Sequence, residues 1–372
     1  MWTISDFSAY TDLSGWPTKG VKACPCCMYS TRSTWLKHGK KYCFMGHRRY
    51  LPMDHPFRRN KRMFDGKQEL EFAPEVLSGN KILRQLEGMV FETRVLVRHQ
   101  SPLNRPRRTV RKKKEKKTMK KRKRNKKKKE EEPAASEIFW KKKSIFFRLP
   151  YWKDNLLRHN LDVMHIEKNV MDNILSTILD IKGKTKNNPQ ARQDLQEMGL
   201  RPKLHPYIGD DGRTYLPTAP HTMSTKDKTA FFQVLQDIRV PNGYASNISR
   251  CVRMNDRTLS GLKSHDNHII MQQLLPIALR GSKLPNNVMK VMVDMSTFFK
   301  GICKTTLTPE ALDRLQEHVC MTLCLMEQIF PPASSLAWFT LSSILFVNAD
   351  LLDWCNTGGC IRERGKTYLI QM

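Results

Sequence analysis

The sequence predicts two folded parts, an α/β part at the N-terminus and a mainly α-helical C-terminal half, joined by a basic disordered linker. Met1 to Phe91 mixes short β-like pieces with turn residues, as α/β domains do. Phe146 to Ile181 carries the longest apolar periodicity, at the three- and four-residue spacing of a buried helix face. Arg105 to Lys129 holds 18 lysines and arginines against one glutamate, a composition that cannot build a core.

The linker also indicates the partner. Between Arg105 and Lys129 the only apolar side chains are Val110 and Met119, so the run predicts a solvated chain that neutralises phosphates. The whole chain has a formal net charge of +30, so the rest of it is basic as well. Such a balance favours a polyphosphate partner, and a lysine-rich run is typical of a nuclear import signal. The sequence therefore predicts binding to DNA and a location in the nucleus.

Other features predict an intracellular chain without a membrane span. The start, MWTISDFSAYTD, lacks the basic and apolar regions of a secretion signal. The longest apolar window, Leu336 to Val347, is shorter than the roughly 20 residues that cross a bilayer. Ten cysteines in an intracellular chain are expected to be thiols or metal ligands.

The apolar stretch contains one acidic residue on its buried side. The helix face is formed by Leu157, Leu161, Met164, Val170, Met171, Ile174, Leu175, Ile178 and Leu179. Glu167 falls among them at helical spacing, so its carboxylate is predicted to point towards the core. A buried carboxylate needs a partner, which is either a metal ion or a lysine or arginine from another segment.

A cysteine motif near the N-terminus is a candidate zinc site. Cys24 and Cys27 stand three positions apart on a predicted turn, a spacing at which two thiolates reach one Zn²⁺. Cys43 and His47 complete a local C-x2-C-x15-C-x3-H pattern. The alternative is a set of buried thiols without metal.

Gly46 to Arg62 interleaves basic and aromatic residues and is a candidate DNA contact. Its candidate phosphate ligands are Arg48, Arg49, Arg58, Arg59, Lys61 and Arg62. The alternative interpretation is a solvated basic surface loop.

The second half is predicted to be helical and to form a packing or protein-contact module. The predicted helices are Thr225 to Ile238, capped by Ser224 or Thr225, Val288 to Ile302, and Pro309 to Phe330. Before them, His265, Asp266 and His268 form a metal-like pattern. Because no fourth ligand is evident, hydrogen bonding at a helix start is the preferred interpretation.

Several long blocks of the sequence resemble, in the same order, blocks of the plant CACTA (En/Spm) transposases. They are ISDFSAYTDLSGWPTKGVKACPCCM, GHRRYLPMDHPFRRNKRMF, LPYWKDNLLRHNLDVMHIEKNVMDNIL, KTKNNPQARQDLQEMGLRPKLHP and LKSHDNHIIMQQLLPIALRG. The resemblance implies a core similar to ribonuclease H and Mg²⁺-dependent cleavage and transfer of DNA strands at transposon terminal repeats. Other transposon-encoded proteins are further expected partners.

The resemblance also implies site residues. Asp6 stands where the family has its second catalytic acid, and Glu167 or Asp194 is a candidate for the late one; a turn or N-cap role is the alternative for Asp6. His159 and His165 are the distant histidines that such transposases pair with a Cys pair, here Cys24 and Cys27, around structural Zn²⁺.

Departures from the family predict a catalytically inactive copy. The first catalytic aspartate of the family lies upstream of the ISDFSAY block, where this sequence starts, and the family's acidic residue in the KTK segment is Asn187 here. After FPPASS the sequence no longer resembles the family, as a shifted reading frame would produce. The alternative function is that of a transposon-derived nuclear protein that binds DNA or other proteins without catalysis.

These features predict five segments. They are a partial transposase core with the Cys motif (1–101), the basic linker (102–136), the remainder of the core (137–220), a helical domain (221–335) and an aberrant tail (336–372).

Overall fold

The computed structural model describes residues 3–75, 77–91, 139–155, 158–239, 247–304 and 307–335. The predicted linker (102–136) and the predicted tail (336–372) lie outside the described residues.

The described strands are short and pair two by two. They are β1 (Thr3–Ser5), β2 (Thr34–Leu36), β3 (Lys41–Cys43), β4 (His159–Leu161), β5 (Tyr207–Ile208), β6 (Thr214–Tyr215), β7 (Val252–Arg253) and β8 (Thr258–Leu259). Three of the pairs, β2–β3, β5–β6 and β7–β8, are antiparallel hairpins. The fourth pair, β1–β4, is parallel, with Ile4 opposite Asn160, and joins chain segments that are far apart in sequence.

Helices make up much of the described chain. They are α1 (Tyr10–Ser14), α2 (Pro56–Arg59), α3 (Gly79–Leu86), α4 (Val163–Ile178), α5 (Pro189–Glu197), α6 (Thr225–Asp237), α7 (Ser264–Ile269), α8 (Leu275–Leu279), α9 (Asn286–Ile302) and α10 (Pro309–Ile329). A π-helical turn, Ile270–Leu274, links α7 to α8. The prediction of mixed α and β structure is confirmed.

Helix α4 is the apolar stretch of the sequence, but it is shorter than the periodicity predicted. It begins after Asp162, whose carboxylate accepts the His165 N–H at 3.1 Å as an N-cap. Leu161 lies in β4 instead, opposite Ser5, and Leu157 lies outside the described residues. Strand pairing ends where the cap begins, so the prediction of a helix was wrong at Leu161.

One large core unites the helices with the N-terminal part. The buried faces of α4, α6, α9 and α10 meet in it, and α9 packs along α10. Tyr10, Leu51 and Phe64 from the first part of the chain join the same core. The N-terminal part is therefore held against the helical half by shared apolar burial.

Candidate functional site

Arg48 is a buried framework residue of the basic segment. Its side chain is 1% exposed and its guanidinium lies over the Phe64 ring, 4.4 Å from the centroid. Nη2 donates to Asp65 Oδ1 at 2.6 Å. Nη1 donates to the carbonyls of Phe57, Asn60 and Lys67 at 3.3, 3.0 and 3.0 Å. These bonds satisfy carbonyls of an irregular segment that has few partners of its own.

Two more of the six predicted phosphate ligands are also buried. Arg49 donates to the Ser30 carbonyl at 2.7 Å, and Arg58 donates to the Leu51 and Arg49 carbonyls at 2.8 and 2.7 Å. By contrast, the other three are exposed. The exposed cations of the segment are Arg59, Lys61 and Arg62, and they are the ones that a phosphate can reach.

The cysteine motif forms a cluster of three thiols, of which Cys24 and Cys27 are buried and Cys26 is half-buried. Cys24 interacts with both Cys26 and Cys27, and its Sγ accepts the Cys27 N–H at 3.2 Å. The Tyr10 hydroxyl lies 3.7 Å from Cys26 Sγ, and the Tyr50 hydroxyl lies 3.7 Å from Cys27 Sγ. The neighbouring Cys24 thiol, followed by burial, raises the pKa of Cys26 and Cys27 well above the usual range. Without an ion these groups are thiols, and a bound Zn²⁺ is what would make them thiolates.

His159 lies in the same aromatic surroundings as the thiols. It is buried in β4, and its ring centroid is 5.5 Å from that of Tyr10, which contacts Cys26. Burial, followed by the charge of Arg158, lowers the pKa of His159 to about 3, so its imidazole is neutral, as a metal ligand must be. His165 is half-buried in the first turn of α4, and its backbone N–H is held by Asp162.

The local pair, Cys43 and His47, lies among different partners. Cys43 packs with Leu36, Ala191 and Ala333, apart from the three thiols, and burial raises its pKa to about 12. His47 is buried and its Nδ1 is hydrogen-bonded to Glu327. In the described residues, neither His159 and His165 nor this local pair lies with Cys24 and Cys27 so that three ligand atoms come within 4.8 Å of one another.

Two of the predicted acids bind the backbone. Asp6 follows β1, is half-exposed, and its Oδ1 accepts the Ala9 N–H at 2.6 Å. Asp194, on α5, is 2% exposed, and its two oxygens accept the N–H groups of His38 and Gly39 at 2.8 and 2.9 Å. Each carboxylate thus has a structural role, because it stabilises a turn by accepting backbone N–H groups.

Glu167 has a partner of another kind. It is fully buried on α4, and its Oε2 lies 2.7 Å from His268 Nδ1 on α7. Burial raises the pKa of Glu167, while His268 acts in the opposite direction. With Cys303, at the end of α9, the two residues form a group whose ligand atoms all lie within 4.8 Å of one another. In the part of the chain that the structure describes, it is the one such group of metal-ligand side chains.

The first part of the chain is similar to a known protein family. Residues 1–89 match the family model described as Transposase family tnp2. The tnp2 match covers Asp6, the three thiols and the basic segment. No curated protein and no solved structure matches the chain.

All three members of the Glu167 group lie outside the tnp2 match, and the sequence did not predict His268 and Cys303 as partners of Glu167. The buried position of Glu167 signals that a partner is needed, but nothing in the sequence identifies His268, 101 positions away. His268 was assigned to hydrogen bonding at a helix start because no further ligand was evident, and Cys303 gave no signal.

Among the described helices, none is both long and apolar enough to cross a membrane.

Proposed function

We propose that the chain is a remnant of a CACTA-type DNA transposase that associates with DNA in the nucleus and does not cleave it. The observation that carries the proposal is the match of residues 1–89 to the transposase family tnp2. The order of the further CACTA-like blocks, and the parallel β1–β4 pair followed by α4, support a core derived from a ribonuclease H-like fold. Its DNA partner would be the terminal repeats of a transposon.

The carboxylates support the absence of catalysis. Two-metal DNA cleavage needs several acidic oxygens that are open to hard Mg²⁺ ions, which prefer octahedral oxygen ligands. Asp6 and Asp194 bind backbone N–H groups, and Glu167 is buried against an imidazole and a thiol. This donor set does not fit Mg²⁺. We therefore expect no Mg²⁺-dependent nicking of terminal-repeat duplexes by the chain, and robust nicking would contradict the proposal.

The thiol cluster fits structural Zn²⁺, which would cross-link the turn at Cys24 and Cys27. The N–H group of Cys27 directed at Cys24 Sγ stabilises a thiolate there. The neutral imidazole of His159 contacts the ring of Tyr10, whose hydroxyl lies beside Cys26, and this supports the distant ligand pair with His165 over Cys43 and His47. Cys26 is a third sulfur in reach of Cys24.

The exposed cations of the basic segment are the proposed DNA contact in the folded part. Replacing Arg59, Lys61 and Arg62 together by alanine removes three charges that no ion pair of the described residues occupies. Each lost phosphate contact lowers the slope of log K against log[salt] by about 0.9, so the slope should fall by roughly 2 to 3. Fluorescence anisotropy with a labelled duplex over a series of salt concentrations measures this slope.

The matched control removes the same charge elsewhere. Lys203, Lys226 and Lys300 are exposed on other elements, and their joint replacement by alanine should leave the slope near its original value. Equal losses in both triple variants would show that DNA binding depends on net charge alone.

Deleting residues 105–129 tests the linker, and we expect a further fall of the slope and loss of nuclear accumulation.

A further inference from the structure

Three helices of the described chain bring one carboxylate, one imidazole and one thiol together. Glu167 lies on α4 and His268 lies on α7. Cys303 is the residue that follows α9. Their ligand atoms all lie within 4.8 Å of one another. Glu167 is fully buried, His268 has a side chain that is 22% exposed, and Cys303 is half-buried. The group therefore has a closed inner wall and a rim that faces solvent.

The carboxylate of Glu167 is only partly satisfied by the described residues, since burial raises its pKa while His268 and Gln272 both act to lower it. Oε2 lies beside His268 Nδ1, but Oε1 is buried and has no hydrogen-bond partner among the described residues. A buried carboxylate oxygen without a partner is costly, and such oxygens are uncommon in folded proteins. An ion held between Glu167, His268 and Cys303 would remove this cost by coordinating the carboxylate.

The backbone beside His268 is irregular at the same place. Ile270–Leu274 forms a π-helical turn, a rare geometry that is frequent at functional sites. In this turn Gln272 lies with its amide nitrogen 3.0 Å from His268 Nδ1. A half-turn of the terminal amide would present its oxygen instead, since the two amide atoms have nearly the same shape. Gln272 can thus supply a fourth, neutral donor.

We propose that Glu167, His268 and Cys303 bind one Zn²⁺ ion, with Gln272 or a water molecule as the fourth ligand. A mixed sulfur, nitrogen and oxygen set suits Zn²⁺ and does not suit Mg²⁺. Tetrahedral Zn²⁺ with ordinary bond lengths places its ligand atoms about 3.4–3.6 Å apart. The three side chains reach that spacing by adjustments of about 1 Å. The bound ion would tie α4 to α7 and to the end of α9.

This inference does not rest on the proposed function, because its residues and its test involve no DNA. It also gives Glu167 a role as a zinc ligand, which differs from the catalytic role that the family resemblance implied for Glu167, Asp6 and Asp194.

The first test is zinc content. The metal-free, reduced chain is dialysed against Zn²⁺, and the bound zinc is measured by mass spectrometry for the wild type, Cys303→Ser, His268→Gln and Cys251→Ser. We expect the first two variants to bind about one equivalent less than the wild type. Cys251, half-buried in the same half of the chain, is the matched control, and its variant should bind as much as the wild type. Equal zinc content in all four proteins would overturn the proposal.

The thiol cluster at Cys24 is a separate source of zinc binding. Repeating the comparison in a Cys24→Ser/Cys27→Ser background should preserve the difference of one equivalent at Cys303. A difference that disappears in this background would assign the lost zinc to the thiol cluster and overturn the proposal.

The second test needs no variant and therefore does not depend on whether the variants fold. Alkylation of the wild-type chain is followed cysteine by cysteine with and without Zn²⁺. We expect Zn²⁺ to slow the alkylation of Cys303 by about tenfold or more and to leave Cys251 unaffected, because a metal-bound thiolate is shielded. An unchanged rate at Cys303 would contradict the proposal, as would equal protection by Mg²⁺.

Discussion

His221 is a buried residue whose neutral state the fold requires. It is 1% exposed, and its ring lies 5.2 Å from that of Phe330 between centroids. Burial, followed by the charges of Arg201 and Arg192, lowers its pKa to about 3. The Ile329 carbonyl, which acts on the His221 ring, also accepts a hydrogen bond from Arg201 at 2.8 Å, so this carbonyl keeps a donor when the imidazole is replaced.

The first prediction concerns the pH dependence of stability at His221. The unfolded chain takes up a proton near pH 6.5, whereas the folded chain does so only near pH 3, so stability is lost as the pH falls through this window. The slope reaches about 1.4 kcal/mol per pH unit well below pH 6.5. His221→Phe should remove this contribution from urea unfolding curves recorded between pH 7 and pH 5. Phe330→Leu is the control, because it should lower stability by a similar amount at each pH.

At the residue scale, the sequence did not predict which arginines of the basic segment are buried. Arg48, Arg49 and Arg58 alternate with aromatic residues just as Arg59 does, and this pattern does not distinguish buried arginines from exposed ones. The irregular backbone around Pro52 and Pro56 needs donors for its carbonyls, which is a signal for internal arginines, but it does not say which arginines they are.

At the scale of elements, the starts of two helices were predictable because their N-cap signals are local. The predicted helices at Thr225 and Pro309 begin at those residues, after the N-caps Ser224 and Thr308. The sequence did not reveal that β4 pairs with β1 or that α4 meets α7, since these contacts depend on residues far apart in the chain. For the same reason Glu167 was predictable as a buried acid without its partner.

The close approach of α3 to Trp152–Asp154 carries the second prediction. A Cβ added at Gly79 would overlap the backbone carbonyl of Lys153, which cannot rotate away. Gly79→Ala should therefore lower the free energy of unfolding by about 1–3 kcal/mol. Gly281 is the matched control, because a Cβ there meets nothing within 4 Å, and Gly281→Ala should stay within about 0.5 kcal/mol. Chemical denaturation of the wild type and the two variants measures these changes in the free energy of unfolding.

At the scale of the whole molecule, Glu327 connects the first part of the chain to α10. It is 3% exposed, accepts the N–H groups of Gly46 and His47 at 2.8 and 3.1 Å, and pairs with the His47 ring. Nearby, the Phe44 N–H donates to Ser335 Oγ at 2.8 Å. The segment that matches tnp2 thus depends on residues well beyond the match.

The third prediction tests this dependence. Glu327→Ala leaves buried N–H groups and the His47 ring without their partner, so we expect a loss of about 3–5 kcal/mol. Hydrogen exchange should show that Gly46 and His47 lose protection together with α10. Asp12→Ala is the control, because the Lys142–Asp12 ion pair is exposed and should contribute less than about 1 kcal/mol. Loss of protection confined to residues 46 and 47 would show that the two parts unfold separately.

The parallel pairing of β1 with β4 has a consequence for protein synthesis. The two strands are separated by about 150 residues. At ribosomal rates of about 5–20 residues per second, β1 emerges roughly 8–30 s before its partner exists. During this interval its backbone N–H and C=O groups are open to other chains. The half-made chain is therefore the form most exposed to chaperones and proteases, and the amount of finished protein in a cell should depend on how fast translation reaches β4.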